Sequence, residues 1–93
     1  MYLHIGNNKN IRIREIIGIF DADTATVSAV TKKYLSAAQG NDCVSFATED
    51  IPKSFVLYQD QNNQFNVCFS QLSTSALSGR MMQYEKRDFK VEF

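Results

Sequence analysis

Residues 10–21, Asn-Ile-Arg-Ile-Arg-Glu-Ile-Ile-Gly-Ile-Phe-Asp, constrain the fold more than any other stretch of the chain. Ile11 and Ile13 alternate with Arg12 and Arg14, the period-two pattern of a strand with one apolar and one basic face. On that reading the two guanidinium groups stand two residue rises apart, about 7 Å. Ile16 to Phe20 follows as the strongest apolar run of the sequence and reads as a buried strand. Glu15 marks a break or bulge between the halves, and Gly18 a bulge or a close backbone approach.

The flanking residues extend this pattern. Tyr2 to Ile5 reads as a strand, and Gly6-Asn7-Asn8 as a turn, because Gly and Asn tolerate positive φ. The first fourteen residues are therefore expected to form a hairpin. Asp21, Asp23 and Thr24 supply acceptors for the free N–H groups of a helix start. Val27, Val30, Tyr34 and Ala38 recur at helical spacing, and Gly40-Asn41 is a stop signal, which predicts a main helix from Thr24 to Gln39. Lys32 and Lys33 fall at its C-terminal end, where the helix dipole favours cations.

Cys43 to Ala47 reads as a short strand. Ser54–Gln59 and Gln64–Ser70 read as strands joined by the four-residue loop Asp60-Gln61-Asn62-Asn63. Phe65, Val67 and Phe69 share one face of the second, with Asn66, Cys68 and Ser70 on the other. Ser73 is placed to cap a second, short helix, with Leu72 and Leu77 at the spacing of a hydrophobic staple. Gly79 argues for an early end or a bend. Residues 81–93 read as a charged extension, either a tail or an edge strand.

Ninety-three residues suffice for one domain with a modest core, a size at which self-association is a common source of added stability. The expected class is α+β, a mostly antiparallel sheet with one main helix and a short C-terminal helix. Ten basic and ten acidic side chains cancel, so nucleic acid can be bound only through a local patch. The candidate cations are Lys9, Arg12, Arg14, Lys53 and Arg80.

Catalytic signatures are missing from the pattern. His4 is the only histidine and has no nucleophile motif beside it. Asp21 and Asp23 are explained by helix capping more simply than by acid–base or cation chemistry. Cys43 and Cys68 stand 25 positions apart outside any paired motif, so they read as buried apolar residues and not as zinc ligands. No phosphate-binding or dinucleotide fingerprint occurs. The expectation is a non-enzymatic protein with no cofactor and no metal. The sequence shows no signal-peptide pattern and no bilayer-length apolar run, which implies a cytoplasmic, reduced setting.

Several segments carry a resemblance to a known family. Met1 to Gly6, Arg14-Glu15-Ile16-Ile17-Gly18-Ile19-Phe20-Asp21, Pro52-Lys53-Ser54-Phe55-Val56 and Ser70 to Leu77 resemble the RemB (YaaB-like) members of the extracellular matrix regulatory protein family. The resemblance covers about residues 1–80, read as a single α+β domain, and leaves residues 81–93 without a counterpart. It implies a small bacterial cytoplasmic regulator. The RemA-like branch of the family binds DNA upstream of matrix and osmoprotection genes and assembles into a closed ring. Its DNA contacts use arginines, including a basic cluster just before the strand matching Ser54–Gln59. Here that place reads Glu49-Asp50-Ile51-Pro52-Lys53, and only Lys53 keeps the charge. A second family arginine lies near the start of the strand matching Ile16–Phe20, where Arg14 or, one register on, Glu15 stands.

The resemblance thus implies a DNA-binding transcriptional regulator of matrix or biofilm genes that works as a symmetric or ring-shaped oligomer. Its expected DNA contacts are Arg12, Arg14, Lys53 and Arg80. The rival expectation is an oligomeric adaptor that binds another protein, such as a sibling regulator, and not DNA. Neither reading involves a membrane.

Overall fold

The chain forms two sheets and two helices in a computed structural model that describes residues 1–35 and 43–88, with side chains through Gln83. Strand β1 (Tyr2–Gly6) and strand β2 (Lys9–Arg12) make the expected antiparallel hairpin. Its turn uses positive φ at Gly6 (128°), Asn7 (39°) and Asn8 (61°), as its composition predicts. A 3-10 turn, Ile13–Glu15, leads into strand β3 (Ile16–Asp21). Helix α1 (Thr24–Tyr34), strand β4 (Val44–Phe46), strand β5 (Ser54–Gln59), strand β6 (Phe65–Ser70) and helix α2 (Thr74–Asp88) complete the order.

The larger sheet has the order β3-β5-β6-β4. Its neighbours are antiparallel except β4, which runs parallel to β6 with Phe46 opposite Phe69. Both faces of this sheet are covered. Leu3, Ile5, Ile11 and Ile13 of the hairpin region pack with Val56, Cys68 and Leu77 on one face. Val30 and Leu35 pack with Phe55, Leu57, Val67 and Cys43 on the other. The layers are therefore α1, the four-stranded sheet, and then the hairpin with α2. Alternate residues of β5 and β6 enter opposite cores, which is why Ser54 to Leu57 are buried without a break. Helix α1 connects the two edge strands and has to cross one face to do so.

Two local devices fix the helix starts. Asp23 is the N-cap of α1, and its Oδ1 accepts the N–H groups of Ala25 and Thr26 at 2.8 and 3.3 Å. Ser73 Oγ accepts the Ala76 N–H at 3.1 Å, and Leu72 and Leu77 meet in the hairpin-side core as a staple requires. The bonds from Thr26 and Ala25 hold the Asp23 carboxyl below the ordinary aspartate range. A depressed carboxylate stabilises the fold above its unfolded pKa and stops doing so as pH falls through its folded value. Asp23→Ala is therefore expected to lower the Tm at neutral pH, and the difference should close on acidification below the ordinary aspartate range. A Tm gap unchanged down to strongly acidic pH counts against the cap.

Several sequence expectations need correction. Ile16–Phe20 was expected as a buried strand, yet β3 is an edge strand in which Ile17 is 46% exposed. The central strands are β5 and β6, whose apolar side chains serve both cores. Gly18 does follow a register shift in the ladder, and a Cβ there would lie 2.7 Å from the Phe20 ring. Helix α1 ends at Tyr34, and Leu35 is its C-cap. The expected continuation to Gln39, with Ala38 and the Gly40-Asn41 stop, lies outside the described residues. Helix α2 passes Gly79 without a break, so residues 81–88 are helical and are neither tail nor edge strand. Leu77 and Met81 hold the helix on the hairpin-side core across that glycine, which offsets its poor helix propensity. Residues 89–93 lie outside the described residues.

A candidate nucleic-acid interface

The outward face of the hairpin follows from its register. Tyr2 stands opposite Arg12 and His4 opposite Asn10, so each pair meets side by side on one face. The Arg12 guanidinium carbon lies 5.8 Å from the centre of the Tyr2 ring. His4 Nδ1 and Asn10 Oδ1 are 3.2 Å apart. The Gln61 amide, with its oxygen toward the guanidinium, accepts from Arg12 Nη1 and Nη2 at 3.1 and 3.3 Å. Both neighbours of the Arg12 head are neutral, so they orient its charge without cancelling it.

Arg14 is not Arg12's partner on a strand face, contrary to the alternating pattern. The hairpin and β3 belong to different sheets, and the chain must pass from one layer to the other between them. It does so in the 3-10 turn, which begins where β2 ends and buries Ile13. That turn replaces the two-residue strand repeat on which the expected ladder of guanidinium groups rested. Arg12 and Arg14 nevertheless line one concave surface together with Glu15, Asp60 and Gln61.

An adjoining cavity of about 340 Å³ opens between the hairpin and the β5–β6 loop. Tyr2, Lys9, Arg12, Glu15, Tyr58 and Gln61 are among its lining residues. Lys9 Nζ lies 6.0 Å from the centre of the Tyr58 ring. Asp60 also borders it, but its carboxylate is occupied by its own loop. Oδ1 accepts the N–H groups of Asn62 and Gln64, and Oδ2 accepts from Asn66 Nδ2. The Gln64 bond leads in holding the Asp60 carboxyl below the ordinary range. Glu15 and Asp60 are the acids whose charges oppose Lys9, Arg12 and Arg14.

The other expected contacts lie elsewhere. Arg80 projects from α2 and donates from Nη1 to the His4 carbonyl at 3.0 Å, which ties α2 to the hairpin. Lys53 is exposed at the start of β5, beside Asp21 and Ala22. Arg14 lies by the opposite end of β5, roughly 20 Å away at the rise of a strand. A single subunit thus gathers Arg12 and Arg14, anchors Arg80 against the same hairpin, and leaves Lys53 apart.

The sequence pattern pointed to Lys9 as a cation but not to Tyr2, Tyr58 or Gln61. Tyr2 was within reach, since a hairpin closed by Gly6-Asn7-Asn8 sets it opposite Arg12. Tyr58 and Gln61 reach the cleft only through tertiary packing.

Other chemistry-bearing residues among those described lie away from this cleft. Cys43 and Cys68 are buried free thiols, and burial pushes the Cys68 pKa up. Asp21 accepts from Thr74 Oγ1 at 3.2 Å, joining the end of β3 to the start of α2. Lys32 and Lys33 are exposed in the last turn of α1. Among the described residues, no group of three or more His, Cys, Asp or Glu side chains is placed to hold a metal ion. Among the same residues, no helix is long and apolar enough to cross a membrane. A scan against family models and a search of curated proteins each gave no match to this chain.

Proposed function

We propose that the protein is a bacterial cytoplasmic DNA-binding regulator of extracellular matrix genes that acts as an oligomer. The observation that supports the reading is the placement of Lys9, Arg12 and Arg14 along two adjoining concavities that share Arg12, in a chain with zero net charge. The Arg12 head, oriented by neutral partners, suits phosphate oxygens, which accept bidentate donation. Glu15 and Asp60 weaken the patch, Arg80 is tied to the hairpin backbone, and Lys53 adds charge only from another part of the surface. One subunit therefore binds DNA weakly, and a set of subunits along one duplex adds by avidity.

The salt dependence of duplex binding tests this. Arg12→Ala combined with Arg14→Ala should weaken binding while leaving the far-ultraviolet circular dichroism unchanged. Each lost phosphate contact should reduce the slope of log K against log salt by about one. Absence of any mobility shift by the unmutated protein at low salt would sink the proposal.

One feature favours the second reading, an oligomeric adaptor. Phe46 on the edge strand β4 is 63% exposed, although its ring stacks on Phe69 at 4.9 Å. An aromatic row runs inward from it through Phe69 and Phe55 to Phe20. Ile51, 89% exposed, adds a further apolar side chain to the loop before β5. Large exposed apolar side chains suit a protein partner or a sister subunit better than they suit DNA. Phe46→Ser tests it: loss of oligomeric mass with duplex binding absent throughout identifies the adaptor.

A further inference from the structure

The cleft between the hairpin and the β5–β6 loop holds more than phosphate chemistry. Its two cations each rest against a tyrosine ring, Arg12 on Tyr2 and Lys9 on Tyr58. Tyr2 remains 51% exposed, so the ring holds a cation on one side while half its surface meets solvent. Exposed amide groups of Asn10, Gln61 and Asn62 border the same space. A volume of about 340 Å³ lies at the low end for small-ligand sites, which run from roughly 300 to 1,000 Å³. That is room for one planar unit with an anionic substituent, and too little for a folded partner.

Charge narrows the class further. Glu15 and Asp60 balance Lys9 and Arg12 in net charge, but Asp60 is tied into its own loop by hydrogen bonds, so the two cations are the donors that face a ligand. A phosphate fits the two cations. An aromatic ring system with donor and acceptor edges fits an exposed tyrosine face with amides around it. We propose that this cleft binds one nucleotide unit, with the phosphate on Lys9 and Arg12 and the base stacked on Tyr2. The unit comes either from a free nucleotide or from a single strand of DNA. It does not come from a duplex, in which the bases are already stacked on one another. The inference shares Arg12 with the regulator reading above but has a different target.

The test compares three probes on the full chain: thymidine monophosphate by NMR titration, and a short oligo(dT) strand and a duplex of equal length by fluorescence anisotropy. Tyr2→Ala should weaken oligo(dT) or nucleotide binding about tenfold, within the usual range for one stacked base. Tyr2→Phe should retain it, and in Tyr2→Ala duplex affinity should fall less than single-strand affinity, because toward a duplex Tyr2 only orients Arg12. Lys9→Ala should weaken the same probe through the phosphate. Shifts of Tyr2 and Lys9 resonances with the monophosphate assign the free nucleotide as the source. Oligo(dT) binding with a silent monophosphate assigns the single strand. If Tyr2→Ala binds both single-stranded probes as the unmutated protein does, or if neither probe binds at all, the cleft has been misassigned. Duplex binding failing alone counts against the regulator reading and leaves the nucleotide site standing.

Discussion

Phe55→Ala is expected to lower the unfolding free energy by about 3–5 kcal/mol, the usual range for removing a fully buried phenylalanine. Native proteins have roughly 5–15 kcal/mol in all, so a large share of the margin would go. Phe55 has no exposed surface and sits on the central strand β5. Its ring stacks on Phe20 at 5.3 Å and meets Phe69 at 5.6 Å, tilted 50°. It thereby connects edge strand β3 to β6 beneath α1. Truncation leaves a cavity between three strands that a sheet pinned on both faces cannot collapse to fill. Urea unfolding followed by circular dichroism reads the loss directly. A cost under about 1 kcal/mol would contradict the packing described. Phe46→Ala is the internal control. It removes the exposed end of the same aromatic row and should change monomer stability little.

Gly6→Ala should cost about 2–4 kcal/mol, combining backbone strain with a steric clash. The residue has φ of 128°, a region that L side chains rarely adopt, and an added Cβ would lie 2.7 Å from the Ala47 carbonyl oxygen. That oxygen belongs to backbone held by the Ala47 N–H bond to Phe69 at 2.8 Å, so it cannot swing aside cheaply. Relief would have to come from lifting the hairpin off the sheet. The hairpin is also tied down there, because the buried Ser70 hydroxyl donates to the Ile5 carbonyl at 2.6 Å. Gly79→Ala is the contrasting substitution. Nothing lies within 4 Å of the Cβ it would add, and the position is helical. It should therefore stabilise, by about 0.5–1 kcal/mol. If thermal unfolding shows both glycines tolerating alanine equally, the close approach of β1 to Ala47 is wrong.

The helix and turn signals were legible because they act over a few residues. Asp23, Ser73 with Leu72 and Leu77, and Asp60 with Asn62 and Asn63 each satisfy backbone groups within the next four positions. The hairpin was legible for the same reason, and with it the opposition of Tyr2 and Arg12. Gly79 misled because its intrinsic cost is small beside the burial of Leu77 and the partial burial of Met81 on either side of it. The site was half legible. Arg12, Arg14, Lys53 and Arg80 could be named as cations, but alternation alone placed two of them on one ladder that the 3-10 turn interrupts.

Local chemistry in this chain therefore settles most strands, the helix starts and the hairpin turns, but not the shared face expected of Arg12 and Arg14 or the helix beyond Gly79. Alternation with period two states that a strand has two faces; it does not state which strand lies beside it or what covers each face. The parallel placement of β4 against β6, the edge position of β3 and the two-sided burial of β5 come from packing between residues far apart in the chain. So does the cleft, in which Lys9 and Arg12 of the hairpin meet Tyr58 and Gln61 about 50 positions later. Such contacts depend on closing long loops and filling shared volume, neither of which leaves a mark in any short window of sequence.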